Sequence, residues 1–543
     1  MVLRAAAVLT ALVLVTGCSL LPGQDDHAAA HDTRGTPPSV AWQSAARDDV
    51  RAGGRLTLAT AAVPGNFNPQ HVDGAGSAES ELLAPTTGGA VRLTADGGWE
   101  VDPDYAESVT LSATDPQTVS VRLNPRAVWS DGTAITADDM IAFWKAQNGS
   151  DKDFQVFSTA GWDAIADVRE GDDEFSYVVE FKQLTADWPL FVYPRVPDEV
   201  AADPRAFNDG FTERPLPSNG PFVISEVDRE AGRITQTPNP LWWGDRPKLD
   251  RIVWRVAAPS VAAKAYRAGE LDAVHLDAQT YTLAGERGVM QRAAGLEWSH
   301  LTMNAGSGPL AVQDVRRAVA LALDRDAIAA VTAGDVGAEG VVQDSMVYVP
   351  SQRGYAATGA KAIAHDPAAA RKLFEKAGYG TGEEPTLRMP VPDDTPANLE
   401  RAELVRDQLG AVGIKVDLES VSADDFFETR VIPLDFDLVT FTWTGSAFPV
   451  ELSQPRFSPL DSAQNFTGLD DDTLAGLWDA AGSTLAGPAQ DAAVRAIDAR
   501  LFRRLPMVPL AMVPEVMAVD DDVVNYGASQ FETPDFTVVG FRG

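Results

Sequence analysis

Cysteine is almost missing from this chain of 543 residues: only Cys18 is present. A single thiol excludes internal disulfides, thiolate zinc sites, iron–sulfur clusters and Cys-x-x-Cys redox chemistry. Histidine is scarce too, with six in all, and none of His71, His275, His300 and His365 are spaced as ligands on one helix face. Positive charge is short, with 44 Lys and Arg against 78 Asp and Glu and a formal net charge of −34. Such a surface repels phosphate backbones, and no Lys/Arg run offsets it, so nucleic acid is not an expected partner. No HExxH, Walker A loop, GxSxG elbow or GxGxxG after a strand is present. Neither catalytic residues nor a cofactor nor a resident metal is expected. Glycosidase-like carboxylate pairs stay open, because their members need not be near in sequence.

What is present is an ordinary globular balance, 45% hydrophobic and 22% charged, long enough for roughly three or four domain-sized units. Arg4 precedes an apolar run from Ala5 to Val15 that is too short for a stable membrane span. It ends in Val15-Thr16-Gly17-Cys18, which resembles the lipobox of bacterial lipoproteins, where cleavage before the Cys leaves it lipidated. Residues 1–17 are therefore expected to be a signal peptide. Residues 18–53 are expected to be the lipidated Cys18 and a flexible Ala/Gly/Pro/Ser-rich tether, in which His27 and His31 are inert. The protein is then held on the outer face of the cell membrane by its lipid alone.

Beyond the tether, strands are expected at 55–62, 118–123, 177–182, 222–227, 234–237, 251–256 and 271–276, with helices over 137–147 and from 261 to Gly269. Asp314 is expected to cap one helix carrying Val315, Val319, Leu323, Ile328 and Val331. Asp366-Pro367 starts another, which Gly378 stops. The alternation strand 386–391, helix 398–409, strand 414–421, short helix 423–430, strand 436–443 predicts right-handed crossovers and a parallel sheet. Ligands gather beyond the carboxyl ends of such strands. Trp443 stands at one of them, and with Phe448 it flanks a Thr444-Gly445-Ser446-Ala447 loop, an apolar plate beside free backbone donors and acceptors. Most other tryptophans, including Trp242-Trp243 after Asn239-Pro240, read as core or turn anchors. His300, in an apolar strand-like stretch, reads as a hydrogen-bonded core residue. The runs Asp470–Asp472 and Asp520–Asp522 read as a helix cap and a solvated turn rather than metal sites.

Several segments, in order, resemble the peptide/nickel/oligopeptide-binding family of ABC-transporter solute-binding proteins. They are Val128-Trp129-Ser130-Asp131-Gly132-Thr133 with Thr136-Ala137-Asp138-Asp139, and Ser218-Asn219-Gly220-Pro221-Phe222 followed by Asn239-Pro240-Leu241-Trp242-Trp243-Gly244 and Pro247-Lys248-Leu249-Asp250. Ala268-Gly269-Glu270-Leu271-Asp272 and Val315-Arg316-Arg317-Ala318 complete the set. The resemblance runs from about Arg55 to the carboxyl terminus and is nearest to actinobacterial oligopeptide- and dipeptide-binding lipoproteins.

The resemblance implies an α/β, two-lobed periplasmic-binding-protein-like fold with a two-strand hinge and an extra domain inserted in the first lobe. Lobe I would comprise 54–72, 217–303 and 507–543, the extra domain 73–216 and lobe II 304–506. The chain would cross near Asn304 and return near Pro506. It implies a monomeric, non-enzymatic protein that captures an oligopeptide between the lobes and delivers it to an ABC permease and its ATPase. Expected ligand-binding residues are Trp443, Thr444, Gly445, Ser446, Phe448, Asp73 and Asn304. Peptide binders of the family commonly carry an Asp where this chain has Ser446, so another acid, Asp73 or Glu451, would take the peptide amino terminus, or the ligand lacks a free amine. Haem, a metal chelate or a sugar oligomer is the alternative cargo, a receptor that captures without transport is another, and a lipid-anchored hydrolase is the competing class.

Overall fold

The computed structural model describes residues 37–543, apart from 381–384, 394 and the side chain of Ser77. The signal segment, Cys18 and the first half of the tether lie outside the described residues. Two large hydrophobic cores organise the rest. The first joins residues between Leu56 and Ala293 to others between Met517 and Phe541, and the second runs from Trp298 to Met512 with Phe531. Each core is the interior of one lobe.

In lobe I, strand Arg55–Thr60 pairs in parallel with Arg251–Val256, which continues antiparallel through Arg233–Pro238 to Phe222–Asp228. Alternation places Leu56, Leu58, Ile252 and Trp254 inward. Trp254 donates to Gln236 Oε1 at 3.0 Å, and Gln236 Nε2 donates to the Leu82 carbonyl at 2.7 Å, so the polar atoms buried with them are paired. A second sheet sets Glu515–Val519 between Ala273–Leu276 and Val289–Ala293. The inserted region carries a four-stranded antiparallel sheet, 106–114, 117–123, 176–181 and 165–170, covered by helix Ala137–Gln147 and sharing the lobe I core.

The two lobes meet at strand Glu297–Met303, which lies antiparallel between Leu438–Thr444 and Met507–Met512. Met303 N–H donates to the Pro506 carbonyl at 3.0 Å, so the outgoing and returning chains run side by side as the two-strand connection.

Three expectations need correction. The helix expected to start at Asp314 is two helices, Gln313–Ala322 and Arg325–Ala333. Val312 is the capping position, Asp314 lies within the first turn, and Asp324 caps the second helix by accepting from Ala327 N–H at 3.1 Å. The parallel sheet contains only Thr386–Pro392 and Lys415–Val421, because Leu438–Thr444 pairs instead with the hinge strand. That strand is buried on both faces beyond Glu297, and its backbone needs partners along both edges. The tether ends earlier than Gly53. Pro38 and Gln43 carbonyls accept from Ala294 and Asn525, Ala41 N–H donates to Ala528, and Val50 is buried. The extended C-terminal segment offers free backbone groups that this stretch satisfies.

The motif residues hold the frame. Asp139 accepts from Trp129 Nε1 at 3.1 Å and from the Thr136 and Asp198 amides at 2.7 and 2.8 Å, and burial still lifts its carboxyl to about 6. Asp272 accepts from Thr57 N–H at 2.6 Å and locks the strand after Gly269 to the first strand. Trp242 and Trp243 pack 5.8 and 5.6 Å from Tyr105. A side chain at Gly220 would meet the Thr86 backbone at 2.3 Å, so the close approach there requires glycine.

Arg316 is 2% exposed and donates to the carbonyls of Leu310, Ala311, Arg504 and Leu505 at 2.7–3.1 Å. These stand at the ends of helices and turns, where carbonyls lack the partners a continuing helix would give them. Burial lowers its guanidinium to about 10, so it stays charged. Arg316→Met keeps the length of the stem but strips those carbonyls of this donor. It is expected to destabilise lobe II by about 3 kcal/mol, and chemical denaturation checks this.

Candidate functional site

The carboxyl end of strand Arg55–Thr60 opens into a cavity of about 700 Å³. Thr60 and Ala61 form its floor, Ser80 and Glu81 of helix Ser77–Leu83 one wall, His275 and Glu515 of the second sheet another. Leu296 and Glu297 close it at the start of the hinge, and Tyr526–Phe536 of the C-terminal segment roof it. A second space of about 650 Å³ shares Ser80, Ala84 and Glu532–Pro534 with the first and runs under hairpin Val91–Val101 towards Asp102, Tyr105 and Trp242. The site therefore lies where strand ends, an inserted hairpin and the hinge converge.

His275 is the organising group of the first cavity. Its Nε2 lies 2.8 Å from Glu81 Oε1 and its Nδ1 2.7 Å from Glu515 Oε1, while Tyr526 Oη donates to Glu81 at 3.0 Å. Desolvation opposes a charged imidazole, but the two carboxylates outweigh it and raise the His275 pKa well above its ordinary 6.5. Burial alone would raise the Glu81 carboxyl; His275 and Tyr526 reverse that and hold it below the usual range. An imidazolium that donates from both nitrogens has no lone pair left to act as a base or to bind a metal. Its geometry fixes the two acids in place.

The lobes are in contact beside this site. Asp187, next to Trp188 in the inserted region, accepts from Glu451 N–H of lobe II at 3.0 Å. Ala186 N–H donates to the Gly482 carbonyl at 2.9 Å, and Arg353 N–H to the Asp96 carbonyl at 3.2 Å.

The residues expected from sequence are not brought together as one site. The Trp443 indole stacks 5.9 Å from Phe466 and from His300, with the Arg456 guanidinium 4.6 Å over its ring. Thr444 is exposed and lies opposite cavity-lining Glu297 in the hinge register. Gly445 N–H donates to the Leu296 carbonyl at 2.8 Å. Ser446 Oγ accepts from Phe448 N–H at 3.0 Å, and its carbonyl accepts from Gln352 Nε2 at 2.9 Å. Phe448 is 7% exposed. The Asn304 Nδ2 donates to the Leu434 and Phe436 carbonyls at 3.1 and 3.2 Å, which pins the turn after the hinge strand. The Asp73 side chain is 74% exposed, and its backbone N–H donates to His71 Nδ1 at 3.1 Å. Glu451 sits in the contact between the lobes, not in either cavity lining.

His300 is fully buried, as a core histidine, with Nδ1 3.0 Å from Thr302 Oγ1. Desolvation, with Arg401 and Arg456 nearby, keeps it neutral by lowering its pKa well below 6.5. Asp471 caps helix Asp472–Gly482 and pairs with Arg500 and Arg504. Asp520 lies in the turn after Glu515–Val519 and pairs with Arg287. Among the described residues no group of His, Cys, Asp and Glu is placed to hold a metal ion, and no helix is long and apolar enough to cross a membrane. Sequence reasoning missed Glu81, His275, Glu515 and Tyr526 as a group. They are up to 445 residues apart, and no local pattern marks them.

Comparison with known proteins agrees with this architecture. The sequence profile of the bacterial extracellular solute-binding proteins, family 5 (Middle), matches residues 100–462. The oligopeptide-binding protein OppA of Mycobacterium tuberculosis is 31% identical over 557 aligned positions, covering 99% of this chain and 94% of that one. A probable monoacyl phosphatidylinositol tetramannoside-binding protein, LpqW, of the same organism is 26% identical over 77% of this chain and 66% of its own. Among solved structures, the periplasmic EDTA-binding protein EppA superposes with a TM-score of 0.81 at 23% identity, covering 93% of this chain and 99% of that one. The oligopeptide-binding protein AppA of Bacillus subtilis, in complex with a nonapeptide, superposes at 0.71 and 17% identity over 91% and 100%. With two lobes, a two-strand connection and a profile match across most of its length, this chain belongs to the bacterial extracellular solute-binding proteins of family 5.

Proposed function

We propose that this protein is the lipid-anchored, extracytoplasmic capture subunit of an ABC importer, and that its cargo is an oligopeptide. The observation that carries the reading is the full-length similarity to an oligopeptide-binding protein, 31% identical across 99% of this chain. The cavities beside the hinge, about 700 and 650 Å³, fit that role. A polar, elongated solute lying there would touch lobe I directly and lobe II through the rim formed by Trp443–Ser446. Closure around it then has a thermodynamic cause, since a ligand shifts the equilibrium only by contacts it makes better in the closed state. The closed form is what a cognate permease and ATPase would receive.

Native mass spectrometry of the purified protein, followed by calorimetry with peptides of graded length, tests this. Peptide masses that exchange with added peptide are the expected result. A retained haem, chelate or glycan with no peptide affinity would overturn it.

Ser446→Asp tests the rim. A carboxylate next to Thr444 is expected to tighten a peptide with a free amino terminus about tenfold relative to its N-acetylated form, as a charge-assisted bond does. Calorimetry of both variants with both peptides reads this directly. Unchanged affinities in all four pairings would remove this loop from the site.

A further inference from the structure

The charge lining the two cavities is one-sided. Eight carboxylates face two arginines and one histidine. His275 is already committed to Glu81 and Glu515, and Arg92 to Glu100 at 2.7 Å. Glu297 and Glu532 line the cavity and form no ion pair among the described residues. Glu297 is raised by desolvation and by neighbouring Glu515, and Glu532 by desolvation only partly offset by Arg92. Glu297 therefore stands beside another acid with no cation acting on it, and the one cation acting on Glu532, Arg92, is already paired with Glu100.

A second observation, independent of the acids, points the same way. Gln530 lines the same cavity and is 3% exposed. Its Nε2 donates to the Gly295 and Pro350 carbonyls at 2.9 and 3.3 Å, which fixes the amide and leaves Oε1 with no donor among the described residues. A buried acceptor without a donor is costly, and a ligand N–H would satisfy it. Arg195 lines only the second cavity, where it donates to the Gly88 carbonyl at 3.4 Å, so what the first cavity lacks is an uncommitted hydrogen-bond donor carrying positive charge.

We infer that the cleft selects cationic peptides, with Glu297 and Glu532 as the specificity-determining carboxylates and Gln530 Oε1 as a neighbouring acceptor for ligand N–H. The inference rests on the peptide reading and narrows it. An ammonium or guanidinium placed here relieves repulsion among the acids as well as gaining its own contacts, whereas a glutamate-bearing peptide or a polyanionic chelate adds to that repulsion.

The test uses the mature full-length protein and three alanine-based pentapeptides with two lysines, two glutamines or two glutamates at the same positions. Calorimetry is expected to rank them lysine, glutamine, glutamate, with about tenfold between the first two, and the ranking should narrow at high salt. Glu297→Gln and Glu532→Gln should each reduce the ratio of lysine-peptide to glutamine-peptide affinity several-fold, and a cooperative thermal melt of each variant shows that it is folded. Equal affinity for the three peptides, or a preference that survives both substitutions, would overturn the inference and leave the peptide reading standing. Failure of all three to bind would overturn both.

Discussion

As the pH falls from about 7 towards 4, the closed form of the ligand-free protein is expected to gain on the open one, and Asp187→Asn to remove most of that gain. Asp187 is 3% exposed, and burial lifts its carboxyl to about 7, with the Glu451 charge adding to the rise. When the lobes part, the contact with Glu451 N–H is lost and water reaches the group, so its pKa returns towards 3.8. A carboxyl whose pKa is higher in the closed form binds its proton more tightly there, so closure takes up a proton and is favoured as the pH falls through that window. Above pH 7 the closed form must bury a carboxylate. The ceiling is on the order of 4 kcal/mol, or roughly a thousandfold in the closed-to-open ratio. Glu451, itself raised by burial and by Asp163, acts in the same direction. Asparagine keeps an acceptor for the Glu451 amide and has no proton to lose. Small-angle scattering of both proteins across this range measures the effect; identical pH profiles would show that Asp187 does not govern closure.

Cys18→Ser is expected to move nearly all of the protein from the membrane to the soluble fraction, with no change in melting temperature. A lipobox cysteine is the attachment point of the acyl chains, and stable anchoring needs more than one of them. Among the described residues, the amino-terminal segment is held to lobe I by backbone hydrogen bonds of Pro38, Ala41 and Gln43, all of them twenty or more residues beyond the substituted position. Fractionation after confirmed signal removal decides it. A serine variant that stays with the membrane would refute the anchor.

Local chemistry made much of the frame legible. The Asp366-Pro367 helix start is observed, with Asp366 accepting from Ala369 N–H at 2.9 Å, because a cap is decided by residues three apart. Strand Arg251–Val256 and helix Ala137–Gln147 have the bounds read from their periodicity, since burial on one face imposes the period. The motifs that carry the family resemblance were legible for a related reason: Asp139, Gly220, Asp272 and Arg316 each hold the frame, and the frame is what the family shares. The same locality explains the misreadings. Whether Leu438–Thr444 pairs with a parallel neighbour or with the hinge strand depends on which edge is left open in the assembled lobe, and no window of sequence contains that edge. The surroundings of single side chains were out of reach for the same reason: Trp443 and Phe448 look alike beside their loop, yet Trp443 stacks on Phe466 under an arginine and Phe448 is 7% exposed. Composition and short-range pattern were enough for most elements, several of their caps, the family and the acidic balance. Which charged groups meet in the cleft was settled by long-range packing, because Glu81, His275 and Glu515 converge through strand order, and side chains 194 and 240 residues apart leave no shared local pattern to read.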